Sequence, residues 1–112
     1  MSAARYNLVI DQGSDFAVIF TVNDDGSAKN LTGYSARAQM RTTKSATSVA
    51  ATFVCTIPTP ANGTITLALP NATSTSMAAG NYVYDLEIFT ASNAIVTRLL
   101  QGSVTLTQEV TR

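Results

Sequence analysis

The chain has 112 residues, with seven Lys or Arg and seven Asp or Glu, so its net charge is zero. It contains no His and one Cys, which leaves almost no ligands for a zinc or haem site and excludes a disulfide within the chain. Nucleic-acid binding requires Lys and Arg to displace counterions, so we expect no nucleic-acid partner.

The apolar residues alternate with a period of two over most of the chain, which predicts strands rather than helices. Thr (17) and Ala (16) are the commonest residues, and Thr together with Val (9) and Ile (6) gives 32 β-branched residues, which suit a pleated sheet. An Asp-Gly pair at 25–26 predicts a hairpin turn. In chain order, the predicted strands are 6–10, 15–22, 34–41, 49–57, 64–69, 81–90, 94–101 and 103–110, with Gly102 separating the last two.

A short helical corner is predicted near residues 71–79, between Pro70 and Gly80, with Asn71 able to cap it. Pro70, Gly80 and Tyr82 together resemble the corner of immunoglobulin-like domains, in which a Tyr hydroxyl bonds back to the corner backbone. The alternative is that Tyr82 is an ordinary core aromatic. Strand count and spacing predict an all-β fold, either an antiparallel sandwich or a small barrel. The corner favours the sandwich, so we expect one antiparallel immunoglobulin-like β-sandwich domain, 1–112, with about seven to eight strands.

The sequence offers no constellation for catalysis. Without His, no base is available to activate Cys55, which fits a buried reduced thiol. The carboxylate pairs at 11/15 and 24/25 fall in turns, and Asp85 and Glu87 lie on the outward side of one strand. We therefore expect no enzyme activity, no catalytic residue, no metal, no cofactor and no small-molecule substrate.

Four arginines are candidates for a partner interface: Arg37, Arg41, Arg98 and Arg112. Two interpretations stay open. They could form a solvated face that keeps an edge strand from aggregating, or an ion-pair patch toward a partner protein. The charged fraction of 12% is about half the globular norm, which favours a surface that other proteins cover in a large assembly.

The N-terminus lacks an apolar core of signal-peptide length, and no apolar run is long enough to span a membrane. We therefore expect synthesis in a cytoplasm and no membrane partner. The predicted domain reaches the end of the sequence, so no receptor-binding domain is expected to follow it.

A series of motifs resembles small virion structural proteins of tailed bacteriophages and is similar in layout to the N-terminal domain of baseplate upper proteins. The motifs are Tyr6-Asn7-Leu8-Val9-Ile10-Asp11-Gln12-Gly13, Leu31-Thr32-Gly33-Tyr34, Gly80-Asn81-Tyr82-Val83-Tyr84-Asp85-Leu86-Glu87 and Val96-Thr97-Arg98-Leu99-Leu100-Gln101-Gly102-Ser103-Val104.

The resemblance implies an immunoglobulin-like sandwich that is present in many copies in a virion. Its partners would be other virion proteins in a symmetric assembly. The protein would enter the virion after its synthesis in the cytoplasm of the bacterial host. The location stays open among tail, baseplate, neck and capsid, where it would act as a cement protein. A second alternative is a carbohydrate-binding module for host adsorption, with Phe89 as the best stacking residue and Tyr6 and Tyr34 as further candidates.

Overall fold

The structure is a computed structural model that describes residues 4–24 and 26–110. It is an all-β fold with one short α-helix, α1 (Asn71–Thr75), and single 3₁₀ turns at Pro60–Asn62 and Ala91–Asn93. The strands in these residues are β1 (Ala4–Arg5), β2 (Leu8–Asp11), β3 (Phe16–Thr21), β4 (Asn23–Asp24), β5 (Ser27–Ala28), β6 (Ser35–Arg41), β7 (Ala51–Thr52), β8 (Val54–Thr56), β9 (Thr64–Leu69), β10 (Gly80–Phe89) and β11 (Val96–Thr107).

The larger sheet has six strands in the order β1-β11-β10-β6-β7, with β2 also pairing with β11. β10 pairs antiparallel with both β6 and β11. β1 and β2, in contrast, run parallel to β11. The prediction of a purely antiparallel fold is therefore wrong: the larger sheet is mixed. Side-chain alternation does not encode strand direction, so the sequence pattern could not distinguish the two cases.

The smaller sheet has three antiparallel strands in the order β3-β9-β8. The predicted strand 49–57 is divided between the two sheets. β7 pairs with β6 in the larger sheet, β8 pairs with β9 in the smaller one, and Phe53 lies buried at the crossing with its N–H donated to the Ala38 carbonyl. The chain thus links the two sheets at this edge. β4 and β5 form a separate hairpin around the predicted turn.

One cluster of buried apolar residues lies against both sheets. β9 contributes Ile65, Leu67 and Leu69, all fully buried, and β10 contributes Leu86 and Ile88. These residues occupy every second position of their strands, as the alternation predicts. Burial of such side chains at roughly 25 cal/mol per Å² of apolar area is the main stabilising contribution to the fold.

The two strands predicted at 94–101 and 103–110 are one strand, β11, and that prediction is wrong. Gly102 lies buried within β11 and does not end it. A Cβ at Gly102 would stand 2.2 Å from the Tyr6 carbonyl oxygen, so the glycine permits a close backbone approach. The irregularity lies earlier, at a β-bulge where Leu99 is the extra residue between the pairs Leu86↔Leu100 and Glu87↔Arg98.

The corner between β9 and β10 contains a helix shorter than the predicted 71–79. α1 spans five residues, and its N-cap residue is Pro70, so Asn71 is not the cap. The Asp15 side chain, in the turn between β2 and β3, accepts the Asn71 N–H at 2.9 Å. Within the segment, the Thr75 hydroxyl donates to the Asn71 carbonyl and the Ser76 hydroxyl donates to the Thr73 carbonyl. Such local side-chain bonds of Ser and Thr compete with a longer helix.

Tyr82 and Gly80 complete this corner. The buried Tyr82 side chain donates its hydroxyl to the carbonyl of Ala78, four residues upstream. Gly80 has φ of +147°, a backbone conformation that residues with a side chain rarely adopt. The corner is also tied to the β2–β3 turn, because the Ser74 hydroxyl, which is fully buried, accepts the Gly13 N–H.

Candidate interaction surfaces

The outward side of the larger sheet carries a concentration of charge. We call this surface the charged face; its charged residues are Arg37 and Arg41 on β6, Lys44 in the following loop, Asp85 and Glu87 on β10, and Arg98 on β11. They border a concavity of about 330 Å³. Three of the four arginines singled out in the sequence therefore lie on one surface. The fourth, Arg112, lies outside the described residues.

Two arginines of the charged face are in ion pairs. Arg37 Nε lies 2.5 Å from Glu87 Oε1, with its guanidinium also bonded to the Asn93 side chain. Arg98 Nε lies 3.4 Å from Asp85 Oδ2. Cross-strand pairing explains the first contact, because Glu87 stands directly opposite Arg37. Arg98 also stands opposite Glu87, but its side chain reaches diagonally to Asp85, two residues away along β10. The side chains remain 23–55% exposed, so these pairs stabilise the fold only modestly.

Arg41 and Lys44 give the charged face an excess of positive charge. Arg41 donates to the Ala46 carbonyl and to the Gln39 side chain, both uncharged groups. Lys44 is exposed. Within the described residues neither cation is in an ion pair. Four cations therefore face two carboxylates, both of which are already paired.

The bulge in β11 helps to assemble this face. Arg98 and Gln101 are three positions apart, so a regular strand would direct them to opposite sides. Because Leu99 is inserted as an extra residue, Arg98 stands opposite Glu87 and Gln101 stands opposite Asp85. Both then line the concavity. The alternation of the sequence gave no signal for this.

The structure places Asp85, Glu87 and Cys55, which are among the groups that the sequence analysis considered for catalysis. Asp85 and Glu87 are each paired with an arginine, whereas a catalytic acid needs an unpaired carboxyl in a dry cleft. Burial raises the pKa of the half-buried Cys55 thiol to about 11, which keeps it protonated and unreactive at neutral pH. The described residues contain no group of three or more His, Cys, Asp or Glu able to hold a metal ion.

The three aromatic residues considered for sugar stacking each have a contact on the ring. The Arg37 guanidinium lies 4.3 Å from the centre of the Phe89 ring. Lys29 lies over the Tyr34 ring at 5.4 Å. Tyr6, 47% exposed, packs edge-on against Phe20. A sugar would have to displace a cation to stack on the covered face of Phe89 or Tyr34.

The outward side of the smaller sheet has the opposite character. We call it the neutral face, since none of its residues is charged: Ala17, Ile19 and Thr21 on β3, Thr64, Thr66 and Ala68 on β9, and Val54 and Thr56 on β8. Ile19 is 67% exposed and Val54 is 51% exposed. Charge is thus distributed unequally between the two sheets.

Comparison with known proteins gives little further information. No protein-family model and no curated protein matches the chain. Among solved structures, the whole chain aligns with 24% of the length of a family 123 glycoside hydrolase from Clostridium perfringens, at 10% sequence identity and a TM-score of 0.44. This similarity is too low to support any inference about the activity of the present chain.

Among the described residues, no helix has the length and apolar character needed to cross a membrane.

Proposed function

We propose that this chain is a non-enzymatic structural protein of a tailed-phage virion, an assembly or adaptor module of the tail, baseplate or neck. The proposal takes its fold as an immunoglobulin-like sandwich, which the two sheets around one core and the Tyr82 corner support. The observation that carries the interaction role is the charged face. It gathers residues from β6, β10, β11 and a loop into one concave surface with a positive excess.

The excess cations define how a partner would bind. Arg37 and Arg98 are held in place by Glu87 and Asp85, and they leave Arg41 and Lys44 to meet carboxylates from another virion protein. Charged pairs across an interface contribute mainly to specificity and association rate. The partner surface is therefore expected to be acidic, and its binding to weaken as salt concentration rises.

A position on the capsid as a cement protein would use the same surface at a different site in the particle. The carbohydrate-binding alternative receives less support, because the rings of Phe89 and Tyr34 are each overlaid by a cation. The proposal therefore retains protein docking as the function and leaves head or tail to be decided by experiment.

The test is incorporation into particles. A phage that carries this gene with an epitope tag is purified, and mass spectrometry measures the amount of the protein per particle, while immunogold labelling locates it on head or tail. Absence of the protein from purified particles would refute the virion proposal.

Lys44 offers a matched pair of variants for the docking surface. Lys44→Glu reverses an exposed charge that makes no ion pair among the described residues, and Lys44→Arg keeps that charge. We expect Lys44→Glu to lower incorporation several-fold and Lys44→Arg to leave it unchanged, with equal melting temperatures for the purified variants. Equal incorporation of both variants would show that the charged face is not the docking surface.

A further inference from the structure

β3 is an edge strand that lacks the usual protection against pairing with another chain. It is the outermost strand of the smaller sheet, six residues long, with neither charge nor proline in Phe16–Thr21. The other edges are shorter or charged: β1 contains Arg5, β2 ends at Asp11, β7 has two residues and β8 has three. Edge strands are normally kept from pairing by charges, prolines or short length.

The hydrogen-bonding groups on this edge can be assigned from the ladder. Val22 donates its N–H to the Gly63 carbonyl at 2.7 Å, just beyond the last pair of the β3–β9 ladder. Because bonded positions alternate in an antiparallel pair, Phe20, Val18 and Phe16 bond to β9. The N–H and C=O groups of Ala17, Ile19 and Thr21 then point away from β9. Within the described residues, these groups have no hydrogen-bond partner.

We propose that two copies of this chain associate by antiparallel pairing of β3 with β3 across a two-fold axis centred on Ile19. In this register Ile19 stands opposite its own copy, and Ala17 stands opposite Thr21 of the other copy. All three outward-bonding residues of each strand then find a partner, with roughly six interchain hydrogen bonds in all. A register centred on Val18 would leave Thr21 opposite Asp15, beyond the end of β3.

The charge distribution favours a second copy as the occupant. The net charge is zero, so two copies approach without net repulsion. Pairing would join two neutral faces into one six-stranded sheet and would cover Ile19, which is 67% exposed in the single chain. Neither strand nor face carries a charge that would select a charged partner. Such an interface is isologous, the commonest type in homo-oligomers. It depends neither on the charged face nor on a location in a virion.

The first test compares two lysine substitutions on the neutral face by sedimentation equilibrium of the purified protein. Ile19→Lys places a charge at the centre of the proposed axis, and Val54→Lys places the same charge on β8, away from that edge. Both native side chains are exposed, so folding should persist. We expect the wild type and Val54→Lys to dimerise with a Kd below about 1 mM, and Ile19→Lys to raise that Kd at least about tenfold.

A wild-type protein that stays monomeric at about 1 mM would overturn the proposal. That result would stand against pairing of two copies even if β3 pairs with a strand of another protein. Equal weakening by the two lysine substitutions would also overturn it, because association would then involve the face rather than the edge.

The second test fixes the register by cross-linking in a Cys55→Ala background. Directly opposed residues of a bonded antiparallel pair have Cα atoms about 5.5 Å apart, within the range that a disulfide spans. Ile19→Cys should therefore form a covalent dimer under mild oxidation. Ala17→Cys alone should not, whereas Ala17→Cys with Thr21→Cys should. Cross-linking of Ala17→Cys at the same rate as Ile19→Cys would refute the register centred on Ile19.

Discussion

Removal of one hydroxyl group, in Tyr84→Phe, tests how the N-terminal strands are attached to the larger sheet. Tyr84 is 4% exposed, and its hydroxyl donates to the Tyr6 carbonyl at 2.6 Å. Tyr6 lies between β1 and β2, where the chain passes over Gly102. The substitution keeps the ring, which packs edge-on against Phe53, and deletes only the donor. At neutral pH we expect a loss of about 1 kcal/mol in the free energy of unfolding.

The same hydroxyl makes the stability depend on alkaline pH. Burial, with a smaller contribution from Tyr6, raises the pKa of Tyr84 from 10.0 to about 12. The folded chain therefore keeps a proton that the unfolded chain loses, so the stabilisation is complete below pH 10 and is lost as the pH rises toward 12. The full loss is about 3 kcal/mol, of which about half has occurred by pH 11. The stabilities of wild type and Tyr84→Phe should therefore converge near pH 11.

Urea unfolding followed by far-UV circular dichroism at pH 7, 9, 10 and 11 measures this difference directly. Cys55, whose pKa burial raises to about 11, titrates in both proteins, and its contribution cancels in the comparison. A difference in unfolding free energy between wild type and Tyr84→Phe that stays constant from pH 7 to pH 11 would refute the assignment of the alkaline loss to Tyr84. Equal unfolding free energies of the two proteins at pH 7 would show that the hydrogen bond to the Tyr6 carbonyl does not stabilise the fold.

Three further substitutions test other parts of the fold by the same urea assay. Tyr82→Phe deletes the bond to the Ala78 carbonyl and should cost about 1 kcal/mol; an unchanged midpoint would show that this bond does not hold the corner. Gly102→Ala would place a methyl group against the Tyr6 carbonyl oxygen and should cost more than about 2 kcal/mol, and a neutral effect would contradict the close approach. Leu67→Ala leaves a cavity in the core and should cost about 2–5 kcal/mol, with a loss below 1 kcal/mol excluding full burial of Leu67.

The elements with clean alternation were predicted closely from the sequence. The strand predicted at 64–69 coincides with β9, and the strand at 34–41 differs from β6 by one residue. Where alternation was weak, the prediction was too coarse. Residues 49–57 form two short strands in different sheets, because the chain crosses between them at Phe53. A crossing of this kind depends on where the sheets lie, which periodicity does not record.

The sequence by itself determined the strand pattern, the scarcity of chemically reactive groups and the corner at Pro70, Gly80 and Tyr82. These follow from local properties: side-chain period, residue chemistry and backbone freedom. The tertiary structure alone decided that β1 and β2 run parallel to β11, and that a bulge at Leu99 brings Arg98 and Gln101 to the same face. It also decided that the charges collect on one sheet while the edge strand β3 carries none. Strand direction, register and sheet assignment are set by contacts between residues far apart in sequence. The charged fraction of 12% therefore indicates a particular surface only after the strands that carry the charges have been placed in their sheets.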